Sequence, residues 1–207
     1  MAVITAEHAA TFERCMTVGG LAVFPSDTVY GLACDVGDER AVEHLYALKG
    51  RRPDKPSAVM FFSIELALGA LGAQGERTIA ALEALLPGAI TILLNNHDGR
   101  YPLACGPAPN TIGLRVPALG PAAAALSQVR WPILQSSANV SGGEDACRIS
   151  DVPPEISDAC DLLLDAGDLP GTPSTVLDLR DYEDDGTWKI LREGAVHREV
   201  ISAALDG

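Results

Sequence analysis

FPSDTVYGLACD (24–35) and LKGRRPDKPSAVMF (48–61), with a helix-patterned segment between them, decide how this chain is read. LAVFP (21–25) has the character of a buried strand ending at a proline, and SAVMFF (57–62) of the next strand. Between them, DERAVEHLYALK (38–49) sets Ala41, Val42, Leu45 and Leu48 on one face, which is helical spacing. Strand, helix and strand in that order begin an α/β alternation.

The alternation continues outward. Residues 5–18 read as a helix, as do 64–71 and 76–86, the last stopped by Pro87-Gly88. AITILLN (89–95) and TIGLRVP (111–117) read as strands joined by a loop rich in Gly, Pro and Asn. A short Ala-rich helix is expected over 120–129, and WPILQSS (131–137) is another strand. DLLLDAG (161–167), STVLDL (174–179) and WKILR (188–192) look like late strands, with a final helix over 196–205. The expectation is an α/β fold built on a twisted, mixed open sheet flanked by helices. No internal repeat, low-complexity tract or linker breaks the chain, so residues 1–207 are expected to form a single domain, with DYEDDG (181–186) as an exposed turn.

A length of 207 residues suffices for one substantial core or two small domains, and 47% hydrophobic residues argue for a packed one. With 28 acidic and 15 basic residues the net charge is −13, which disfavours coating a nucleic acid and favours small anionic ligands. The five cysteines (15, 34, 105, 147, 160) show no metal or redox spacing, and the four histidines do not cluster near them. Scattered, unpaired thiols suit a reducing compartment. The start, MAVITAEHAATFERC, lacks a basic segment followed by an apolar run, and no stretch approaches the length of a membrane span. A cytoplasmic protein without membrane contact is expected.

Four segments are candidates for chemistry. PSDTVYG (25–31) places hydroxyls and a glycine at a strand end, where active-site loops gather; an ordinary strand-to-helix turn capped by Ser26 or Thr28 is the alternative. KGRRPDK (49–55) crowds Lys49, Arg51, Arg52 and Lys55 together. A helix dipole explains one or two of these cations, whereas a phosphate-binding site explains all of them. Pro53 and Pro56 stiffen that loop. In TIGLRVP, alternation puts Ile112, Leu114 and Val116 on one face and Thr111, Gly113 and Arg115 on the other. Arg115 inside a strand needs a carboxylate or phosphate, supplied either by a ligand or by an internal salt bridge. QSSANVSGG (135–143) offers short donors to an anion or a base, yet has neither P-loop, dinucleotide nor nucleophile-elbow spacing. PSTVLDL (173–179) and LREG (191–194) again set Ser or Arg beside a strand end.

Together these segments resemble the YrdC-like family of threonylcarbamoyl-AMP synthases over roughly Val3 to Ala204. The K-x-R signature is matched by Lys49-Gly50-Arg51 and the downstream S-x-N by Ser137-Ala138-Asn139. FPSDTVYGLACD, KPSAVMF, TIGLRVP, SSANVSG, PSTVLD and LREGAV follow in the family's order. Ser26 stands where the family usually has Thr, Arg52 where proline is common, Ser57 where leucine is common, and Met60 where many members carry a histidine.

The resemblance implies a YrdC-like α/β fold with a concave cationic site. It implies synthesis of threonylcarbamoyl-AMP from L-threonine, bicarbonate and ATP, with release of pyrophosphate, as the first step toward N6-threonylcarbamoyladenosine at tRNA position 37. Lys49 and Arg51 would be catalytic and, with Lys55, would hold triphosphate and bicarbonate. Thr111, Ser137, Asn139, Arg148 and Arg192 would line the nucleotide, and Thr28, Arg115 and Ser174 the threonine. Mg²⁺ would accompany ATP, with its protein ligands, if any, unidentified. A separate tRNA threonylcarbamoyl transferase complex would take the product, with weak or no direct tRNA binding here. An RNA-binding module and a carbamoyl-transfer domain are the alternatives. Lys49→Ala and Arg51→Ala are expected to abolish activity and leave the fold intact, on the reading that both cations face solvent.

Overall fold

Local chemistry starts the helices where the pattern places them. Thr5, Asp38 and Ser63 each accept a hydrogen bond from a backbone N–H in the first turn that follows, so three helices begin at a side-chain cap. The computed structural model describes residues 3–50 and 55–206. In chain order the elements are α1 (Ala6–Thr17), β1 (Ala22–Pro25), β2 (Tyr30–Asp35), α2 (Glu39–Leu48), β3 (Ala58–Met60), α3 (Ile64–Ala70), α4 (Glu76–Leu85) and β4 (Ile90–Asn95). They continue with α5 (Pro102–Cys105), β5 (Thr111–Arg115), β6 (Ile133–Ser137), α6 (Pro154–Ser157), β7 (Leu162–Leu163), β8 (Thr175–Asp178), α7 (Tyr182–Asp185), β9 (Lys189–Arg192) and α8 (Arg198–Leu205).

The strands form one nine-stranded sheet in the order β7-β1-β2-β6-β3-β5-β4-β8-β9. Pairs β1/β7, β3/β5 and β4/β8 are parallel and the others antiparallel, so the sheet is mixed, as the alternation predicts.

Register separates the two faces. One row runs Cys34, Leu134, Val59, Leu114, Ile92, Leu177 and Ile190 across successive strands. These side chains belong to the larger core, with Val42 and Leu45 of α2, Leu82 of α4 and Ile201 of α8. On the opposite face a smaller core joins Phe12 and Met16 of α1 to Phe24, Met60, Ile133 and Leu126. Phe12, Phe24 and Phe62 pack there with ring centroids 5.4–6.2 Å apart, a favourable tilted or edge-on arrangement. Gly31 is required by this packing, because a Cβ there would lie 2.6 Å from Phe24 Cε1.

Several sequence expectations need correction. PSDTVYG is not a strand-to-helix turn; it closes a hairpin in which Pro25 pairs with Tyr30, so GLACD continues as a strand. Val29 and the residues after it are buried almost without a break, and such a run lacks the alternation that marks a strand. The Ala-rich 120–129 stretch forms only a 3₁₀ turn, Ala124–Gln128. The strand expected over 161–167 shrinks to Leu162–Leu163, paired only with β1 at the sheet edge. DYEDDG contains a helical turn, α7, whose Tyr182 is buried and donates to Leu205 O (2.9 Å).

Candidate functional site

The smaller core covers part of its face, and beside it the sheet lies open as a cavity of about 420 Å³. That size falls within the roughly 300–1,000 Å³ of small-molecule sites. Its floor includes Gln135, Ala58, Gly113 and Leu93, consecutive partners on β6, β3, β5 and β4. Two of those four residues are Ala and Gly, so space exists where another sheet would carry side chains. Arg115, Arg180 and Arg192 line the walls with Thr28, Ser174 and Asp145.

Arg115 stands at one end of β5. Its Nη2 donates to Asp27 Oδ1 (2.6 Å) and Thr28 Oγ1 (2.6 Å), with Ser26 Oγ at 3.4 Å. Asp27 also accepts from Ala118 N (2.9 Å), and both ionic side chains are almost completely buried (5% and 4% exposed). Ser26 holds the hairpin in shape, accepting from Thr28 N and Val29 N and donating to Val29 O (2.6 Å). The two readings of Arg115 therefore meet: it has an internal carboxylate, and its Nε remains without a hydrogen-bond partner among the described residues. A buried donor left unsatisfied is unfavourable by about 1–3 kcal/mol, so a small shift of this side chain that brought Nε–H to an oxygen would be favourable.

Ser174, at the mouth of β8, bonds Thr91 Oγ1 (2.9 Å), and Arg192 Nη2 donates to Ser174 O (2.7 Å) and to its Oγ (3.2 Å). Thr28, Arg115, Ser174 and Arg192 thus line one cavity, together with Thr111 and Ser137. Arg192 is tied to Ser174, grouped above with threonine, rather than to Thr111. Arg148 is elsewhere: its side chain is 62% exposed, pairs with Asp168 (3.0 Å) and does not line the cavity.

Lys49 is buried, which corrects the picture of a cation facing solvent. It ends α2, and its Nζ donates to Ser137 O, Asn139 O (2.6 Å) and Asn139 Oδ1 (3.1 Å). Asn139 in turn accepts from Ser137 Oγ (2.6 Å) and donates to Gly143 O (2.7 Å). The K-x-R lysine and the S-x-N pair therefore form one network, and that network shapes the loop after β6. Arg51 and Arg52 lie outside the described residues, and Lys55 is exposed. Met60 is fully buried in the smaller core, in register with Arg115, and does not reach the cavity lining.

Sequence reasoning passed over Asp27 and Arg180. Asp27 sits inside the quoted SDT, where its acceptor character was the available signal. Arg180 follows β8 and is gripped by Asp178 through Nε (2.8 Å) and Nη2 (2.6 Å), with Nη1 3.3 Å from Thr111 Oγ1. The guanidinium holds the Asp178 carboxyl below the ordinary carboxylate range. Elsewhere burial pushes Cys15 up to about 11 and Cys160 up to about 12, and all five thiols are unpaired. Among the described residues no cluster of His, Cys, Asp and Glu is poised to hold a metal, and no helix is long and apolar enough to cross a membrane.

Comparison with known proteins now decides the family. The model of the Sua5/YciO/YrdC family, described as Telomere recombination, matches residues 14–194. This chain belongs to that family. A Mycobacterium leprae relative, provisionally named a threonylcarbamoyl-AMP synthase, is 33% identical over 188 residues, covering 90% of this chain and 83% of the relative. The threonylcarbamoyl-AMP synthase of Pyrococcus abyssi is 28% identical over 90% of this chain and 54% of its own length. The structure of Pyrococcus abyssi Sua5 complexed with L-threonine superposes with a TM-score of 0.84 at 27% identity, covering 97% of this chain and 58% of that one. Escherichia coli YciO shares the fold, with a TM-score of 0.81 at 23% identity over 95% of this chain and 94% of that one.

Proposed function

We propose that this chain is an adenylate-forming enzyme that makes threonylcarbamoyl-AMP from L-threonine, bicarbonate and ATP. The observation that carries the reading is Arg115: a buried guanidinium that lines the cavity beside the Thr28 hydroxyl, with its Nε–H unpaired among the described residues. That arrangement suits the carboxylate of an amino acid, and a family member is known as a complex with L-threonine.

The reaction needs no protein nucleophile. The threonine amine adds to bicarbonate with loss of water, giving a carbamate. A carbamate oxygen attacks the α-phosphorus, and pyrophosphate leaves. Alignment of reactants and stabilisation of charge supply the catalysis. Arg115, Thr28 and Ser174 would hold threonine with its amine directed into the cavity. Thr111 and Ser137 would face the nucleotide, with Arg192, held by Ser174, between the nucleotide and the threonine. Lys49 would act first by fixing the 137–139 loop, while Arg51 and Lys55 would meet the phosphates. Mg²⁺ would enter as the ATP chelate, so the substrate brings the metal. A separate transferase would carry the product to tRNA, and the reaction would run in the cytoplasm.

The test is pyrophosphate release with ATP, bicarbonate and threonine together and with each omitted. Release that requires all three supports the proposal. Turnover without threonine, or none at all, sinks it and leaves the carbamoyl-transfer and RNA-binding alternatives.

A further inference from the structure

The two ends of β5 each meet an arginine, and the arginines differ. Thr111 begins the strand and Arg115 ends it, so they lie roughly 13 Å apart along an extended chain. Arg115, at one end, is buried with a donor to spare. Arg180 reaches Thr111 at the other end, and its side chain is 41% exposed while Asp178, which grips it, is 9% exposed.

The Asp178 contact is two-pronged and uses Nε and Nη2, so the guanidinium is fixed in one plane. Asp178 occupies the Nε and Nη2 edge of Arg180, whereas Asp27 takes only Nη2 of Arg115, so Arg180 keeps fewer N–H groups for an anion. What remains is a rigid flat surface and spare N–H groups at the edge of a cavity. Arginine in that state stacks well on a planar heterocycle, because its delocalised cation is weakly hydrated. Ser137 and Thr111 line the same cavity, and Ser137 is joined to the Lys49–Asn139 network. The span between the ends matches a ligand with a carboxylate at one extremity and a base at the other.

We propose that Arg180 is a nucleotide-binding residue that packs its guanidinium plane against the base, with Asp178 as its positioning residue. The inference rests on the adenylate-forming reading above and adds a residue to it. Arg180→Lys keeps the charge and can still pair with Asp178, but removes the plane, so a folded protein is expected.

The deciding measurement is calorimetric titration of the unaltered protein and Arg180→Lys with adenosine and, separately, with inorganic tripolyphosphate, alongside KM values for ATP and threonine. Adenosine binding should weaken at least about fivefold, with tripolyphosphate binding and the threonine KM unchanged. Weaker tripolyphosphate binding with adenosine unaffected, a raised threonine KM, or no change overturns the proposal. If the unaltered protein binds neither compound, the nucleotide reading itself falls, and Arg180 with it. Asp178→Asn should give a smaller loss for adenosine only; loss for both compounds would make Asp178 a general structural group instead.

Discussion

Two neighbouring rows of the same sheet have opposite fates. Cys34, Leu134, Val59, Leu114, Ile92 and Leu177 form an apolar row buried under helices, with Ile190 partly buried at its edge. The row one residue along on each strand runs Ala33, Gln135, Ala58, Gly113, Leu93, Asp178 and Lys189, and four of these line the cavity. Because side chains alternate faces, a change at every second position suffices to turn one face into core and the other into a site. The second face is itself divided, closed where Phe12, Phe24 and Phe62 interlock and open where Ala58 and Gly113 leave room.

The largest effect is expected where the open region is held by charge. Arg115→Met strands Asp27 in a nearly closed environment, and removing one partner of a buried pair costs about 3–5 kcal/mol. Urea unfolding should show that loss and turnover should vanish; an unchanged midpoint would mean that Asp27 finds water. Lys49→Met is next, because Ser137 O and Asn139 O lose the ammonium donor and Asn139 Oδ1 keeps Ser137 Oγ. A loss of roughly 1–3 kcal/mol is expected, together with lower activity, and a fully stable variant would return Lys49 to the solvent-facing role first assigned to it.

Two glycines on one face sharpen the contrast between closed and open regions. Gly31→Ala drives a methyl into the Phe24 ring, and such overpacking costs about 1–3 kcal/mol. Gly113→Ala meets Leu93 and Ala58 at ordinary contact distances of 3.5–3.8 Å, so stability should hold while substrate KM rises. Equal stability losses for the pair would erase the distinction.

The smallest effect is at acid pH. The folded-state pKa of Asp178 is lowered, foremost by the Arg180 hydrogen bond, so its contribution is present above the unfolded value of about 3.9 and lost as pH falls through the lowered one. Asp178→Asn should be modestly less stable at neutral pH, and the gap should close below about pH 4. A gap that persists in strong acid would point to packing rather than charge.

Much of the sheet was legible, because β4, β5, β6, β8 and β9 carry apolar runs bounded by turn residues. The missed strand, β2, is buried nearly throughout, so it shows no alternation to read. The strand expected over 161–167 failed for a different reason: only its first residues find a partner, at the sheet edge. Of the site, Thr28, Thr111, Arg115, Ser137, Ser174 and Arg192 meet at one cavity from the segments first singled out. Arg148 does not, because Asp168 holds it at the surface. Arg180 went unread since an arginine after a strand is ordinary until its neighbours are known.

By itself the amino-acid order determined which residues could alternate, cap and turn, and it marked hydroxyls and cations at strand ends, because these are local properties of the chain. Only tertiary structure decided that Lys49 is buried, that Asp27 holds Arg115, and that Ala58 and Gly113 lie side by side. Those outcomes depend on which strands become neighbours, and pairing between distant segments is set by the shared burial of both faces rather than by either segment alone.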